Sequence, residues 1–393
     1  MNYDRYLNRA IAAVPPSGIR RFFDLAAAQK DTISLGVGEP DFITPYHIRD
    51  AAINSLLNGE TQYTANRGLL SLRKAISRYM DERFHLPYDP EKEILVTVGA
   101  SEAIDIALRA MVQAGDEVLI PEPSYVSYCP SVIFAGGTPV PLVTTRETDF
   151  RLTAEAVRAA VTPATKVLIL PYPNNPTGAI LSREELEAIA EVVREHELLV
   201  ISDEIYAELT YGGSAHVSFG SLPGMWAYTV TLNGFSKAFA MTGWRVGFVC
   251  GPAPILDVIV KIHQYTIMCA PRQAQVAALE ALEAGFANDF EDVRRMHQSY
   301  DQRRRLMVAG FRGMGLDCFE PLGAFYVFPS IARTGLTSEA FCQRLLEEKH
   351  IACVPGTAFS AYGEGFIRCS YATALDKLNI ALDRMGDFVR ALI

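Results

Sequence analysis

Lys166-Val167-Leu168-Ile169-Leu170-Pro171-Tyr172-Pro173-Asn174-Asn175-Pro176-Thr177-Gly178 is an unbroken apolar run that stops in a turn rich in proline and asparagine. A segment with helical period, Ser182–Glu195, comes next, and a second apolar run, Leu198–Ser202, follows it. Strands without polar alternation are buried on both faces, and a helix between two of them joins parallel neighbours. The same unit recurs outward in both directions. Ile94–Val98, Glu117–Ile120, Thr138–Leu142, Tyr228–Leu232 and Val246–Cys250 are further strand candidates. Helical segments lie between them at Ser101–Val112 and, more weakly patterned, at Tyr125–Ala135. The expectation is an α/β fold built on a mostly parallel seven-stranded sheet flanked by helices. Ligands of such sheets sit beyond the carboxyl ends of the strands, so the chemistry is to be sought in the loops there.

The flanks differ in pattern. Upstream, Ser17–Gln29 reads as a helix with Ile19, Phe22, Phe23 and Ala26 on one face. Ile33 to Phe42 reads as a strand running into a loop that contains Gly36 and Gly38. Helices are expected at Ile48–Asn58 and Leu69–Arg83, separated by a polar surface loop, Thr61–Gly68. Downstream of Ala270 the chain reads as helical to about Gly310. Strands are then expected at Ala324–Phe328, Ile351–Val354 and Phe366–Ser370, with helices at Ser338–Lys349 and Leu375–Ala391. This is an α+β tail. The expected division is an N-terminal segment, 1–46, joining a small domain; a large domain, 47–285; and the small C-terminal domain, 286–393.

Composition narrows the function. The 393 residues are 49% hydrophobic and 21% charged, which fits a folded chain rather than a disordered one. The net charge of −9 disfavours nucleic acid or an acidic membrane as partner, without excluding a local anion site. Seven cysteines with no CxxC, and seven histidines with no HxxxH, argue against a disulfide frame and against a metal site. No run approaches the ~18 apolar residues of a membrane span, and the first residues lack the apolar core of a signal peptide. A cytoplasmic protein is expected.

Four strand ends carry residues that simple turns do not require. Gly99-Ala100-Ser101-Glu102 opens a helix, where bare amides suit a phosphate, although an ordinary serine cap would look the same. There is no GxGxxG and no GxxxxGK[ST]. Asn174-Asn175-Pro176-Thr177-Gly178 is either a turn or a turn that aims an amide into a site. Asp203 of Asp203-Glu204-Ile205-Tyr206 follows a strand so apolar that its carboxylate needs a partner, structural or pyridinium. In Asn233-Gly234-Phe235-Ser236-Lys237, with Arg245 beyond, a lysine among apolar residues loses hydration, which lowers its pKa and frees an amine to attack a carbonyl. A solvated loop lysine is the alternative.

Taken in order, Asn-Pro-Thr-Gly, Asp-Glu-x-Tyr, Gly-Phe-Ser-Lys and Gly-Trp-Arg-Val-Gly resemble the class I/II aminotransferases among the fold-type I pyridoxal phosphate enzymes. The resemblance runs from Ser17-Gly18-Ile19-Arg20 and Gly38-Glu39-Pro40-Asp41-Phe42 to Phe366-Ile367-Arg368-Cys369-Ser370-Tyr371-Ala372. It implies pyridoxal 5'-phosphate as cofactor, held as a Schiff base on Lys237, which also moves the substrate's α-proton. It further implies Asp203 at the pyridine nitrogen, Asn175 and Tyr206 at the phenolate oxygen, and Tyr125 stacked on the ring where many relatives carry Trp or Phe. Ala100, Ser101, Ser236 and Arg245 would hold the phosphate, with Tyr63 reaching it from the second subunit of a homodimer. Gly234 stands where relatives often carry serine, so one phosphate donor is missing. Arg368, bordered by Gly38 and Asn175, would take the substrate carboxylate, a structural salt bridge being the other reading of that arginine. The implied reaction is ping-pong transfer of the amino group of an L-amino acid to 2-oxoglutarate. The wording is closest to the aspartate, aromatic and N-acetyl-diaminopimelate types. A carbon–sulfur β-lyase and a non-catalytic aminotransferase-like regulator are the alternatives, the latter without a visible DNA-binding extension.

Overall fold

The computed structural model describes residue 1 and residues 3–16, 18–19 and 31–393. The helix expected over Ser17–Gln29 lies, apart from residues 18 and 19, outside the described residues. Twelve strands occur among the described residues: β1 (Ile33–Ser34), β2 (Ile94–Thr97), β3 (Glu117–Glu122), β4 (Thr138–Val143), β5 (Thr165–Leu170), β6 (Leu199–Asp203), β7 (Thr229–Gly234), β8 (Gly247–Cys250), β9 (Tyr326–Val327), β10 (Ile351–Ala352), β11 (Val354–Pro355) and β12 (Ile367–Ser370). Strands β2 to β8 form one seven-stranded sheet in the order β2-β8-β7-β6-β5-β3-β4. Every expected strand of this sheet is present, with its ends displaced by a few residues.

Parallel pairing holds from β4 through β3, β5 and β6 to β7, while β8 runs antiparallel to both of its neighbours. The connections show why. Between β5 and β6 lies the helix Arg183–Glu195, whose entry is set by a capping box in which Ser182 and Glu185 satisfy each other's backbone amides. Its apolar side packs Leu186, Ile189, Val192 and Val193 into the core. No helix separates β7 from β8. A chain without a crossover helix re-enters the sheet from the end it left, so β8 begins opposite the end of β7, with Gly247 paired to Gly234. The two ends of that connection, carrying Lys237 and Arg245, are thereby held at the same rim of the sheet.

The C-terminal part has its own apolar core, built around Phe311, Phe325, Phe341, Ile351, Ile367 and Leu378, and Leu35 is buried in it. β1 pairs in parallel with β10, which ties the N-terminal segment to this part. The helix expected to continue from Ala270 to Gly310 is interrupted. One helix ends at Asn288 and the next begins at Glu291, with Asp289 and Phe290 both at positive φ, 54° and 52°. Phe290 turns inward against Tyr79, Phe239 and Phe286. Gly285 leaves the room, because a Cβ there would meet the Phe290 ring. Burying one aromatic ring outweighs two strained residues. Among the described residues, no helix is long and apolar enough to cross a membrane.

Candidate active site

A cavity of about 310 Å³ opens where the carboxyl ends of β5, β6 and β7 meet the start of the helix Gly99–Met111. Ala100, Ser101, Tyr125, Asn175, Asp203, Tyr206, Ser236, Lys237 and Arg245 line it from the large sheet's side, and Gly38 and Arg368 line it from the other. Every expected site residue except Tyr63 is therefore at one cavity. Tyr63 is 79% exposed on its loop and does not line the cavity of its own chain.

One part of this cavity is built to receive an anion. The helix Gly99–Met111 starts after Val98, which offers no side-chain cap, so its first amides are unused by the protein's own side chains there. Gly99 has φ +74°, and a Cβ on it would collide with the Arg245 guanidinium. A Cβ on Gly247 would lie 2.8 Å from the Ala100 nitrogen. Two bare glycines thus let the arginine and the helix start come together. Arg245 itself is exposed and at positive φ, its Nη1 donating to the Thr242 carbonyl at 3.1 Å. Among the described residues no carboxylate forms an ion pair with it. Gly234 belongs to the same packing: a Cβ there would come within 2.9 Å of the Gly247 Cα, which leaves no room for a serine. A guanidinium, free helix amides and the buried Ser236 hydroxyl suit a phosphate.

Asp203 and Lys237 occupy the middle. Asp203 ends β6 and is buried. Its Oδ2 accepts from the Tyr128 hydroxyl at 2.7 Å and its Oδ1 from the Ile205 amide at 3.2 Å. Burial pushes its pKa up to about 6, against the lowering effect of those two donors. Lys237 donates from Nζ to the Gly38 carbonyl at 2.6 Å. Burial lowers its pKa to about 8, and the charge of Arg368 adds to this, so a neutral amine is accessible near neutral pH. The hydroxyls of Tyr206 and Tyr326 are hydrogen-bonded at 2.9 Å.

Arg368 is the largest of the fully buried side chains, 2% exposed. It projects from β12, where its neighbour across the ladder is Val354. Nη1 donates to Asn175 Oδ1 at 2.9 Å and Nη2 to the Gly36 carbonyl, while among the described residues Nε has no partner. The guanidinium lies 4.5 Å from the ring centre of Tyr326 and 4.9 Å from that of Phe359. Burial lowers its pKa. No ion pair with a carboxylate is formed by it among the described residues, so the structural salt bridge considered from sequence is not present there. A buried charge without a counter-charge is costly, and the cost is recovered when an anionic ligand arrives. Gly38 shapes the approach: a Cβ there would lie 2.8 Å from the Tyr326 hydroxyl.

Tyr128 and Tyr326, which line the cavity, and Phe359, which packs on Arg368, are among the residues that escape the sequence reading. Tyr128 could have been found, since it lies one helical turn beyond Tyr125 and carries a polar tip into an apolar helix. Tyr326 lies in the strand expected at Ala324–Phe328, but so short a strand does not tell which side chain meets the arginine, and Phe359 only follows a short 3-10 turn. Among the described residues, no group of three or more His, Cys, Asp or Glu side chains is arranged to hold a metal.

The geometry agrees with what the chain is similar to. The family model described as aminotransferase class I and II matches residues 30–385. An aspartate aminotransferase of Pyrococcus abyssi is 48% identical over 377 residues, covering 96% of each chain. An aromatic-amino-acid aminotransferase of Thermococcus litoralis is 43% identical, covering 96% of this chain and 97% of its own. The solved aspartate aminotransferase of Thermus thermophilus with maleate superposes with a TM-score of 0.92 at 38% identity, covering 97% of this chain and 99% of that one. The fold is that of the fold-type I aminotransferases, and the chain belongs to the class I and II aminotransferase family as a transaminase.

Proposed function

We propose that the protein moves the amino group of an L-amino acid of the aspartate, aromatic or N-acetyl-diaminopimelate kind to 2-oxoglutarate, using pyridoxal 5'-phosphate. The observation that carries this is one cavity in which a desolvated lysine stands between two guanidinium groups that, among the described residues, have no carboxylate of their own. When bound, pyridoxal phosphate supplies an aldehyde that can bond to an amine and a ring that takes up the electron pair left by a departing α-proton.

The residues present fit that group and divide the work. The Ala100 and Ser101 amides, the Ser236 hydroxyl and Arg245 would hold the phosphate, joined by Tyr63 of a second copy in a homodimer. Asp203 would accept from the protonated ring nitrogen, and Tyr128 orients its carboxylate through the bond to Oδ2. Asn175 has its Oδ1 engaged by Arg368, which leaves its amide nitrogen to donate to the phenolate oxygen beside Tyr206. Tyr125 would stack on the ring. Arg368 grips the α-carboxylate of donor and acceptor in turn, which sets the α-carbon beside Lys237. Gly38 borders the same carboxylate, and its carbonyl accepts from the Lys237 amine, which keeps that amine pointed into the cavity. Lys237, with its pKa lowered to about 8, then carries a proton to and from the substrate carbon.

A panel of amino donors with 2-oxoglutarate tests the proposal, with the cofactor absorbance followed as each donor is added. Several donors should shift the absorbance and yield glutamate. Lys237→Ala should keep the fold and lose essentially all turnover; normal activity in that variant would sink the reading.

A further inference from the structure

One buried histidine has no part in the roles above. His263 is fully buried in the helix Ala253–Thr266, and among the described residues its Nε2 has no partner. Its Nδ1 lies 2.6 Å from Glu102 Oε1. A carboxylate only accepts, so Nδ1 carries the proton and donates. The other oxygen of the same carboxylate, Oε2, accepts from the Val98 amide. Both Glu102 oxygens are thus engaged, one by the residue just before the helix Gly99–Met111 and one by a second helix packed against it.

The arrangement answers a problem particular to this helix start. A serine or aspartate at the cap would accept from the second or third amide of the helix and remove it from use. Val98 cannot do so. Glu102, in the first turn, instead satisfies only the amide of Val98 itself, one residue further along than in a capping box. The turn is held while the following amides stay available to an anion. Glu102 does not line the cavity, whereas Ala100 and Ser101 do. A leucine would fill the His263 site at lower cost than a buried imidazole with one nitrogen unpaired, so packing alone does not explain the histidine.

We propose that Glu102 and His263 are a positioning pair that fixes the start of this helix in the shape that grips the cofactor phosphate. The inference rests on the proposed function, and its test separates the two. Binding of pyridoxal 5'-phosphate and of pyridoxal, which lacks the phosphate, is titrated by absorbance, with inorganic phosphate as competitor. Wild-type protein without a Lys237-dependent spectrum would overturn the proposed function itself.

Given that spectrum, His263→Leu should bind pyridoxal phosphate about tenfold or more weakly, the scale of losing a hydrogen bond to a charged group. Its pyridoxal affinity should change less than about twofold, and inorganic phosphate should compete less well. His263→Asn, which keeps a donor near the Nδ1 position, should recover most of the loss. Glu102→Gln carries the same test should the leucine variant not fold, and it too should lose phosphate-selective affinity. Equal affinity, or equal loss for both ligands, overturns the pairing. Failure of both variants to fold also overturns it, since the pair would then belong to the core and not to the phosphate cup.

Discussion

Arg368 and Arg245 line the same cavity, and neither has a carboxylate partner among the described residues, yet they are held in opposite ways. Arg368 is 2% exposed and fixed before any ligand arrives, by Asn175, by the Gly36 carbonyl and by two aromatic rings. Arg245 is exposed and held by one carbonyl and by the bare surface of Gly99. A buried, pre-aimed fork suits a carboxylate that must be caught in one orientation and released at every turnover. An exposed arginine beside free helix amides suits a dianion bound once and held by several donors together. The first site depends on a single residue; the second spreads its task.

That contrast can be broken. The largest effect is expected at Arg368. Arg368→Ala should lower kcat/KM by roughly a hundredfold or more for every amino donor, the scale of two charged hydrogen bonds. Arg368→Lys should recover little, because an ammonium cannot make the paired contact. Steady-state kinetics over several donors checks this, and a loss confined to one donor would remove Arg368 from the common carboxylate. A smaller effect is expected at Arg245: Arg245→Ala should weaken pyridoxal phosphate binding by about tenfold while the helix amides and Ser236 keep the rest. Gly99→Ala should act in the same direction, since its Cβ displaces the guanidinium. Equilibrium titration of the cofactor-free protein measures both, and a loss at Arg245 as deep as that at Arg368 would end the contrast.

A third effect, read in stability rather than in binding or turnover, reports how dry the floor between the two arginines is. Asp203 has its folded pKa raised to about 6 from an ordinary value near 4. Between those values the folded cofactor-free protein holds a proton that the unfolded chain has released. Stability therefore falls as pH rises through this window, by up to about 3 kcal/mol if the whole shift is expressed. Asp203→Asn lacks that fall. Thermal melts should show the variant gaining on the wild type from about pH 4 to 6 and keeping a constant lead above it; parallel melting curves would mean a wet, unshifted Asp203.

Much of this was legible in the sequence because the large sheet writes itself in two simple signals, apolar strands and helical period. The Lys166–Gly178 stretch and its repeats predict the seven strands and locate the loops that carry Asn175, Asp203 and Lys237. The single reversed strand was not legible: Val246–Cys250 reads like its parallel neighbours, and only the missing helix before it signals the turn-back. The break at Asp289–Phe290 was hidden because it depends on where one ring finds room beside Gly285, a tertiary matter. Arg368 could be singled out as a charge in an apolar run, but not the rings of Tyr326 and Phe359 that face it, since the strand expected at Ala324–Phe328 does not tell which of its side chains meets the arginine and Phe359 lies just past a short 3-10 turn. Tyr63 could be assigned only by resemblance, since its place in the single chain is an exposed loop.

The pairing of Gly234 with Gly247 has a further consequence. The strands on either side are in fixed register, and the Phe235–Val246 connection between them carries both the reactive amine and a phosphate-binding guanidinium. Adding or deleting one residue there would rotate one of the two groups away from the cavity or slip β8 by one position, turning its side chains to the wrong face. Homologous chains should therefore vary in the residues of this connection other than Ser236, Lys237 and Arg245, and hardly at all in its length. Natural insertions and deletions should collect instead in exposed turns such as 212–213, which carry none of the site residues.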